Sequence, residues 1–345
     1  MNKAWQRARN GLRQRWIHQR ANQRWQALTA AVERHSQPSA DPRPVIFFNA
    51  STRLQAMSQN AAYALLSAQA LRLQGIPVIQ VVCNSAMQRC VLGSKQNDFN
   101  TLPPCATCTR QSRAVFRNMD TRWLEAREYT ELSKALANLS VIDLEAFTHH
   151  GIPLGAWAVS SLRWMMRRHH LREDENTRAF FHSFILSAWN VYTQFSKLLK
   201  ATEPRAAVLF NGMFFPEAAA RYACLEQGVR VITHEVGLRP FTAFFTSGEA
   251  TAYPMPIDPS FQLDSGMEKK LDAYLSTRFS GDFTMAGIRF WPEMKTLDAD
   301  LLKKIENYQK LVPVFTNVIF DTSQVHANTL FENMFTWLEN VQTTA

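Results

Sequence analysis

The chain has 345 residues, of which 46% are hydrophobic and 23 are phenylalanine, a composition that excludes a disordered polymer. Because single hydrophobic cores stop growing near about 250 to 300 residues, this length favours two domains. The net charge is +9, but residues 1–35 hold eight basic residues against one acid and the other positions hold 30 against 28, which argues against a nucleic-acid-binding body.

The first segment, residues 1–43, reads as a basic helical arm followed by a proline-containing linker. Its apolar residues fall on two nearly opposite sides of a helix: Trp5, Leu12 and Trp16 on one, and Ile17, Ala21, Trp25, Leu28 and Val32 on the other. One interpretation is an interfacial helix resting on anionic lipid. The other is an arm that packs on the protein's own body.

Export and membrane insertion are not indicated by the sequence. The longest apolar runs are strand-sized, far below the roughly 20 residues of a membrane-spanning helix. The basic N-terminus reaches no apolar signal region. We therefore expect a cytoplasmic protein, with peripheral contact to the inner face of the membrane if the arm binds lipid.

A domain of the Rossmann type is expected over residues 44–253. Residues 44–50 form a continuous apolar run with a polar end, typical of a strand buried on both faces of a parallel sheet. Ser51 or Thr52 would cap the following helix, Gly75 would end it, and residues 78–83 would form the next strand. This is a βαβ unit.

The same pattern recurs later in the chain. Residues 206–211 and 229–234 read as strands, joined by a helix with Pro216 in its first turn and Gly228 at its end. A short strand is expected within 241–247, and residues 109–200 read as a mostly helical insert. The fold class is therefore α/β, with a doubly wound parallel sheet.

The last part of the chain is predicted to begin a second domain. Residues 254–312 read as linker and helices. Residues 313–321 then read as another buried strand, followed by a helix over 326–341. One strand and one helix cannot form a domain, so residues 313–345 either dock on the first domain or start a second Rossmann-like one.

Three stretches together resemble the capsule and surface-polysaccharide glycosyltransferases of the GT-B type. They are residues 47–52 with the four cysteines that follow, residues 210–217 with Arg221 and 233–237, and residues 315–321 with His326 and 335–338. The resemblance implies two facing Rossmann-like domains that move a sugar from a nucleotide-sugar donor to a polysaccharide or lipid-linked acceptor. The second domain, which in this family carries most donor contacts, is here only begun.

Candidate site residues lie just past the predicted strand ends, where doubly wound sheets bind ligands. The candidates for substrate binding are Asn49, Ser51, Thr52, Arg53, Asn211, Gly212 and Asp321. Glycosyl transfer needs a base for the acceptor hydroxyl, and His234 and Glu235 stand together at one strand end. Adjacent strand residues point to opposite faces, so we favour Glu235 as the base, with an arginine salt bridge as the alternative.

Four cysteines have the spacing C-x6-C-x14-C-x2-C, namely Cys83, Cys90, Cys105 and Cys108. Four thiolates can form a closed tetrahedral zinc site, and the second pair has zinc-ribbon spacing. A structural zinc ion is slightly favoured over cysteines without a ligand, and an iron–sulfur cluster is less favoured. Such a site would brace the loop over 83–108 and perform no chemistry.

Two other functions stay open at this point. A nucleotide-sugar epimerase shares the same architecture and would turn over its substrate without an acceptor. A truncated, non-catalytic domain could instead bind glycan, a partner protein or membrane through the basic arm.

Overall fold

The computed structural model describes residues 3–50, 57–237, 239, 241–248, 250, 258–281, 284–285, 288–289, 296–324 and 330–344. Its main sheet has six strands: β1 Val45–Asn49, β2 Val78–Asn84, β3 Thr121–Glu125, β4 Ala206–Phe210, β5 Arg230–Val236 and β6 Ala243–Thr246. Thr284–Met285 (β7) and Ile288–Arg289 (β8) form a separate antiparallel pair.

The strand order in the main sheet is β3-β2-β1-β4-β5-β6, and the β1–β2, β1–β4, β2–β3 and β4–β5 pairs are parallel. This is the order of classic Rossmann sheets, in which the winding direction reverses between β1 and β4. The predicted α/β class with a parallel sheet is confirmed, and the fold is compatible with a Rossmann-like domain.

The described residues form eleven helices: α1 Lys3–His35, α2 Gln59–Leu73, α3 Cys105–Val115, α4 Thr130–Leu136, α5 Val141–Glu145, α6 Leu154–Met166, α7 Glu175–Thr202, α8 Phe215–Glu226, α9 Ser265–Phe279, α10 Ala299–Ile305 and α11 Met334–Thr344. Of these, α2 covers one face of the main sheet, and α6, α7 and α8 cover the other. Alternate residues of β1 enter different cores, since Ile46 and Phe48 pack with α6, α7 and α8, whereas Val45 and Phe47 pack with α2. Burial on both faces explains the continuous apolar strand sequences.

The first βαβ unit forms as predicted, with one correction at the start of its helix. Gly75 ends α2 with a φ of +79°, and an added Cβ would lie 2.3 Å from the Gln37 carbonyl oxygen. The cap is Ser58, whose hydroxyl accepts from the Ala61 N–H at 3.1 Å. The prediction of Ser51 or Thr52 as cap is wrong because α2 begins only at Gln59.

The second unit, β4-α8-β5, is also confirmed, with Gly228 at a φ of +68° before β5. The mostly helical insert holds five helices, α3 to α7, but it also contains β3, which sequence reasoning missed. In this edge strand only Leu124 is buried, and the sequence lacks the apolar run of the central strands.

The strand predicted over residues 313–321 is wrong. Residues 311–318 are exposed and have no regular secondary structure, and 319–320 form a turn. An apolar run becomes a strand only where another strand supplies hydrogen-bond partners, and the described residues supply none there. The final helix starts at Met334, later than predicted.

The arm is a single helix, α1, that uses its two apolar stripes differently. Its C-terminal half packs on α2 and α3, where Val32 is buried and the buried Thr29 hydroxyl accepts from Gln69 Nε2 at 2.9 Å. The N-terminal stripe stays exposed, with Trp5 at 58% and Trp16 at 56%. Packing of the arm on the protein's own body is therefore confirmed for its C-terminal half, and lipid binding by the exposed half stays a prediction.

The chain divides into two compact units. The first comprises Met1–Glu235, Phe245–Thr251 and Phe320–Thr322, and the second comprises Val236–Phe244, Ala252–Ile319 and Ser323–Ala345. Across the described ranges, no helix has the length and apolarity that crossing a bilayer requires.

Candidate functional site

The candidate site lies at the carboxyl edge of the sheet, around the reversal between β1 and β4. Asn49 ends β1 and Asn211 directly follows β4, so the register of the two strands brings both to this edge. Asn49 Nδ2 donates to the Phe47 carbonyl at 3.2 Å and to Gln80 Oε1 at 2.7 Å. In open α/β sheets this crevice is where ligands bind.

Glu235 is the carboxylate at the centre of a small polar cluster, which we call the Asn–Glu cluster: Glu235, Asn60 and Asn211. Asn60 Nδ2 donates to Glu235 Oε1 at 2.9 Å, and Asn211 Nδ2 donates to Oε2 at 3.4 Å. One amide therefore comes from the first turn of α2 and the other from the end of β4.

Two further hydrogen bonds hold Asn211 in place. Its side-chain Oδ1 accepts from the Met213 N–H at 3.0 Å, and its carbonyl accepts from the Ala250 N–H at 3.0 Å. The next residue, Gly212, has a φ of +86°, which a residue with a side chain rarely adopts. The Asn211–Gly212 pair thus makes a tight turn after β4, and the Asn211 amide donates to Glu235.

His234 lies on the opposite side of β5 from Glu235 and is only 2% exposed. Its ring centroid is 5.4 Å from that of Phe245 and 6.0 Å from that of Phe210. Within the described part of the chain, His234 Nδ1 has no hydrogen-bond partner. Burial lowers the pKa of His234 to about 4, so the imidazole is neutral at pH 7.

Other predicted site residues fall outside this cluster or outside the described residues. Ser51, Thr52 and Arg53 lie outside the described residues. Asp321 is half-buried in the bend before a short 3-10 turn, Thr322–Gln324, and it ends no strand. The residue that sequence reasoning missed is Asn60. Its signal was the Ser58 cap, which places Asn60 in the first turn of a helix that follows β1.

The four predicted cysteines lie together in a second place at the same edge of the sheet. Cys83 in β2, Cys90 in the next loop, and Cys105 and Cys108 in the first turn of α3 line one cavity of about 30 Å³. All are free thiols. In the described residues, no three His, Cys, Asp or Glu side chains stand in metal-ligating geometry.

A basic groove of about 760 Å³ runs between α1 and α3. Its cationic residues include Arg15, Arg110 and Arg117, all of which are exposed. The groove therefore offers several guanidinium groups next to the exposed N-terminal half of α1, an arrangement that attracts phosphate groups.

The Asn–Glu cluster can bind a polyhydroxylated ligand and accept a proton from a hydroxyl group. The N-termini of α2 and α8 follow β1 and β4 respectively, so their positive dipole ends lie at the same edge, where they favour an anionic group. Comparison with known proteins adds no identification: no protein-family model matches the chain, and no curated protein matches it significantly.

Proposed function

We propose that the chain is a glycosyltransferase-like protein of the GT-B type, which transfers a sugar from a nucleotide-sugar donor to a surface-polysaccharide acceptor. The observation that supports this most is the Glu235 carboxylate, oriented by two asparagine amides beside the β1–β4 reversal. This position is the ligand-binding crevice of the Rossmann-type sheet. The family resemblance of the sequence motifs supplies the reaction class.

In this proposal Glu235 accepts the proton of the attacking acceptor hydroxyl. A carboxylate can act as a general base when it lies within hydrogen-bond reach of that hydroxyl. Asn60 and Asn211 hold both oxygens of the carboxylate, which fixes its direction before substrate arrives. His234 is a positioning residue, since its buried, neutral ring packs behind β5.

The departing nucleotide diphosphate carries negative charge, and the helix N-termini at this edge stabilise it in our proposal. The unit built on the six-stranded sheet is the first, acceptor-side domain of the GT-B pair. Ser51, Thr52 and Arg53 follow β1 directly in sequence, and we propose Arg53 as a phosphate ligand.

We further propose that the protein works at the cytoplasmic face of the membrane, where a lipid-linked acceptor would lie. The exposed tryptophans of α1 and the basic groove between α1 and α3 support this. Proteins commonly bind an anionic bilayer surface through tryptophan at the membrane–water interface and through arginine at the lipid phosphates.

The test is an assay of the purified chain with UDP-, GDP- and CMP-linked sugars and a membrane extract as acceptor source. We expect sugar transfer, and we expect Glu235→Gln to lower its rate by about 10²- to 10⁴-fold while donor binding is retained, because the amide cannot accept the proton. Donor binding is measured by calorimetry.

Glu125→Gln is the matched control. Glu125 ends β3 at the same edge, and an asparagine amide, Asn84 Nδ2, donates to its carboxylate at 2.8 Å. The Glu125→Gln variant should retain full activity. Turnover of the donor without acceptor would instead indicate an epimerase, and absence of binding to every nucleotide sugar would overturn the proposal in favour of a non-catalytic binding domain.

A further inference from the structure

The four cysteines converge although they come from three separate segments of the chain. Among the described residues that line this cavity there is no carboxylate and no imidazole, so sulfur dominates their polar side chains. Thiolates select zinc and other soft metals, whereas magnesium and calcium require oxygen ligands. At about 30 Å³ the cavity holds a single ion and is too small for a sugar or a nucleotide.

A backbone amide group points at one of the sulfur atoms. The Ala86 N–H donates to Cys83 Sγ at 3.3 Å. Such N–H donors stabilise thiolate, the form that binds metal. Cys105 and Cys108 lie in the first turn of α3, where the helix dipole also favours negative charge.

The backbone at Gly93 lies close to the Cys90 sulfur. A Cβ added at Gly93 would lie 2.8 Å from Cys90 Sγ and 2.9 Å from Pro103 Cβ. Any side chain at position 93 would therefore displace Cys90 from the group of four. Glycine at this position leaves room for Cys90 Sγ and for Pro103 against the backbone of the loop.

We propose that Cys83, Cys90, Cys105 and Cys108 form a structural Zn²⁺ site. One Zn²⁺ binds four thiols and releases their four protons to solvent, which leaves a tetrathiolate complex with no open position for chemistry. Because the side chains do not yet stand in ligand geometry, they must rotate toward a common point on binding. No oxidant or reductant is required.

The site would brace the loop between β2 and α3. Ala50, at the end of β1, and Pro216, in the first turn of α8, also line the cavity. The ion would therefore fix the parts of the chain next to Asn49 and Asn211. The zinc proposal is independent of the proposed transferase function, because the convergence of the four cysteines on one cavity supports it.

The experiment is metal analysis of the purified full chain, with thiol titration before and after a chelator. We expect about one zinc per chain, and four of the five thiols becoming titratable only as the metal is removed. Replacing zinc with Co²⁺ should give the visible absorption of a tetrahedral thiolate complex. This readout needs no variant and no activity.

Cys105→Ser with Cys108→Ser should abolish the metal, and Cys224→Ala is the matched control, since Cys224 is the fifth free cysteine and lies buried in α8. The Cys224→Ala variant should keep one zinc per chain. A chain that holds no metal after exposure to Zn²⁺, with all thiols titrating alike, would overturn the proposal. Iron with inorganic sulfide would assign a cluster and equally refute zinc.

Discussion

The residues at the carboxyl edge of the sheet divide into those that sequence could identify and those that it could not. Asn49, Asn211 and Glu235 were identified because each follows or ends an apolar strand, and parallel strands end at one edge. The partner of Glu235 on α2, Asn60, could not be found, because the helix starts later than the capping pattern indicated. The pairing is a tertiary contact between residues 175 positions apart.

His234 carries a pH dependence that can be measured. Burial lowers its pKa from 6.5 to about 4, so the unfolded chain binds a proton more readily than the folded chain between these values. The free energy of unfolding should therefore fall as the pH falls through this window. From pH 7 to pH 5 we expect a loss of about 2 kcal/mol from this group.

His234→Leu tests this by removing the titrating group from the same apolar surroundings. Urea unfolding measures the free energy of unfolding at pH 7 and at pH 5. The decrease between the two pH values should be about 2 kcal/mol smaller for the variant than for the natural chain. The same substitution at the exposed His35 should leave the drop unchanged. Equal drops for the natural chain and His234→Leu would contradict a buried neutral imidazole.

At the scale of elements, strand prediction worked where both faces of the strand are buried and failed elsewhere. β1 and β4 each have a continuous apolar run, and the run in β2 is interrupted only by Gln80, since α2 covers one face and α6 to α8 cover the other. β3 is an edge strand with only Leu124 buried, so its sequence carried no comparable signal. The run at 313–321 had the signal but no neighbouring strand.

The exposed apolar stripe of α1 leads to a prediction about lipid binding. Trp5 and Trp16 are more than half exposed, and Arg9 and Arg20 lie over their rings at 5.5 and 4.6 Å. We expect the full chain to bind vesicles that contain phosphatidylglycerol and not vesicles of phosphatidylcholine alone, with binding that weakens as salt rises.

Arg9→Gln with Arg20→Gln should weaken vesicle binding about 30-fold, because each arginine near the lipid surface contributes about 1 kcal/mol. The control is Lys134→Gln with Arg178→Gln, two exposed cations on α4 and α7. Sedimentation with vesicles measures both. Equal binding of the two double variants would mean that α1 is not the lipid-binding surface.

At the scale of the whole molecule, the sequence predicted the α/β class with a parallel sheet. Its strand order, β3-β2-β1-β4-β5-β6, could not be predicted, since pairing across the sheet depends on contacts between distant segments. That order determines the site, because it creates the reversal between β1 and β4. The second unit did not follow the predicted strand-first pattern, and its described part contains α9, α10 and α11.

The central claim is that a nucleotide sugar binds at the carboxyl edge between β1 and β4. Hydrogen–deuterium exchange of the full chain, with and without saturating UDP-, GDP- or CMP-linked sugar, tests it most directly. We expect slower exchange at residues 211–213 and in the first turns of α2 and α8, and no change at the opposite ends of β1 and β2. Protection confined to other parts of the chain, or none with any donor, would contradict the claim.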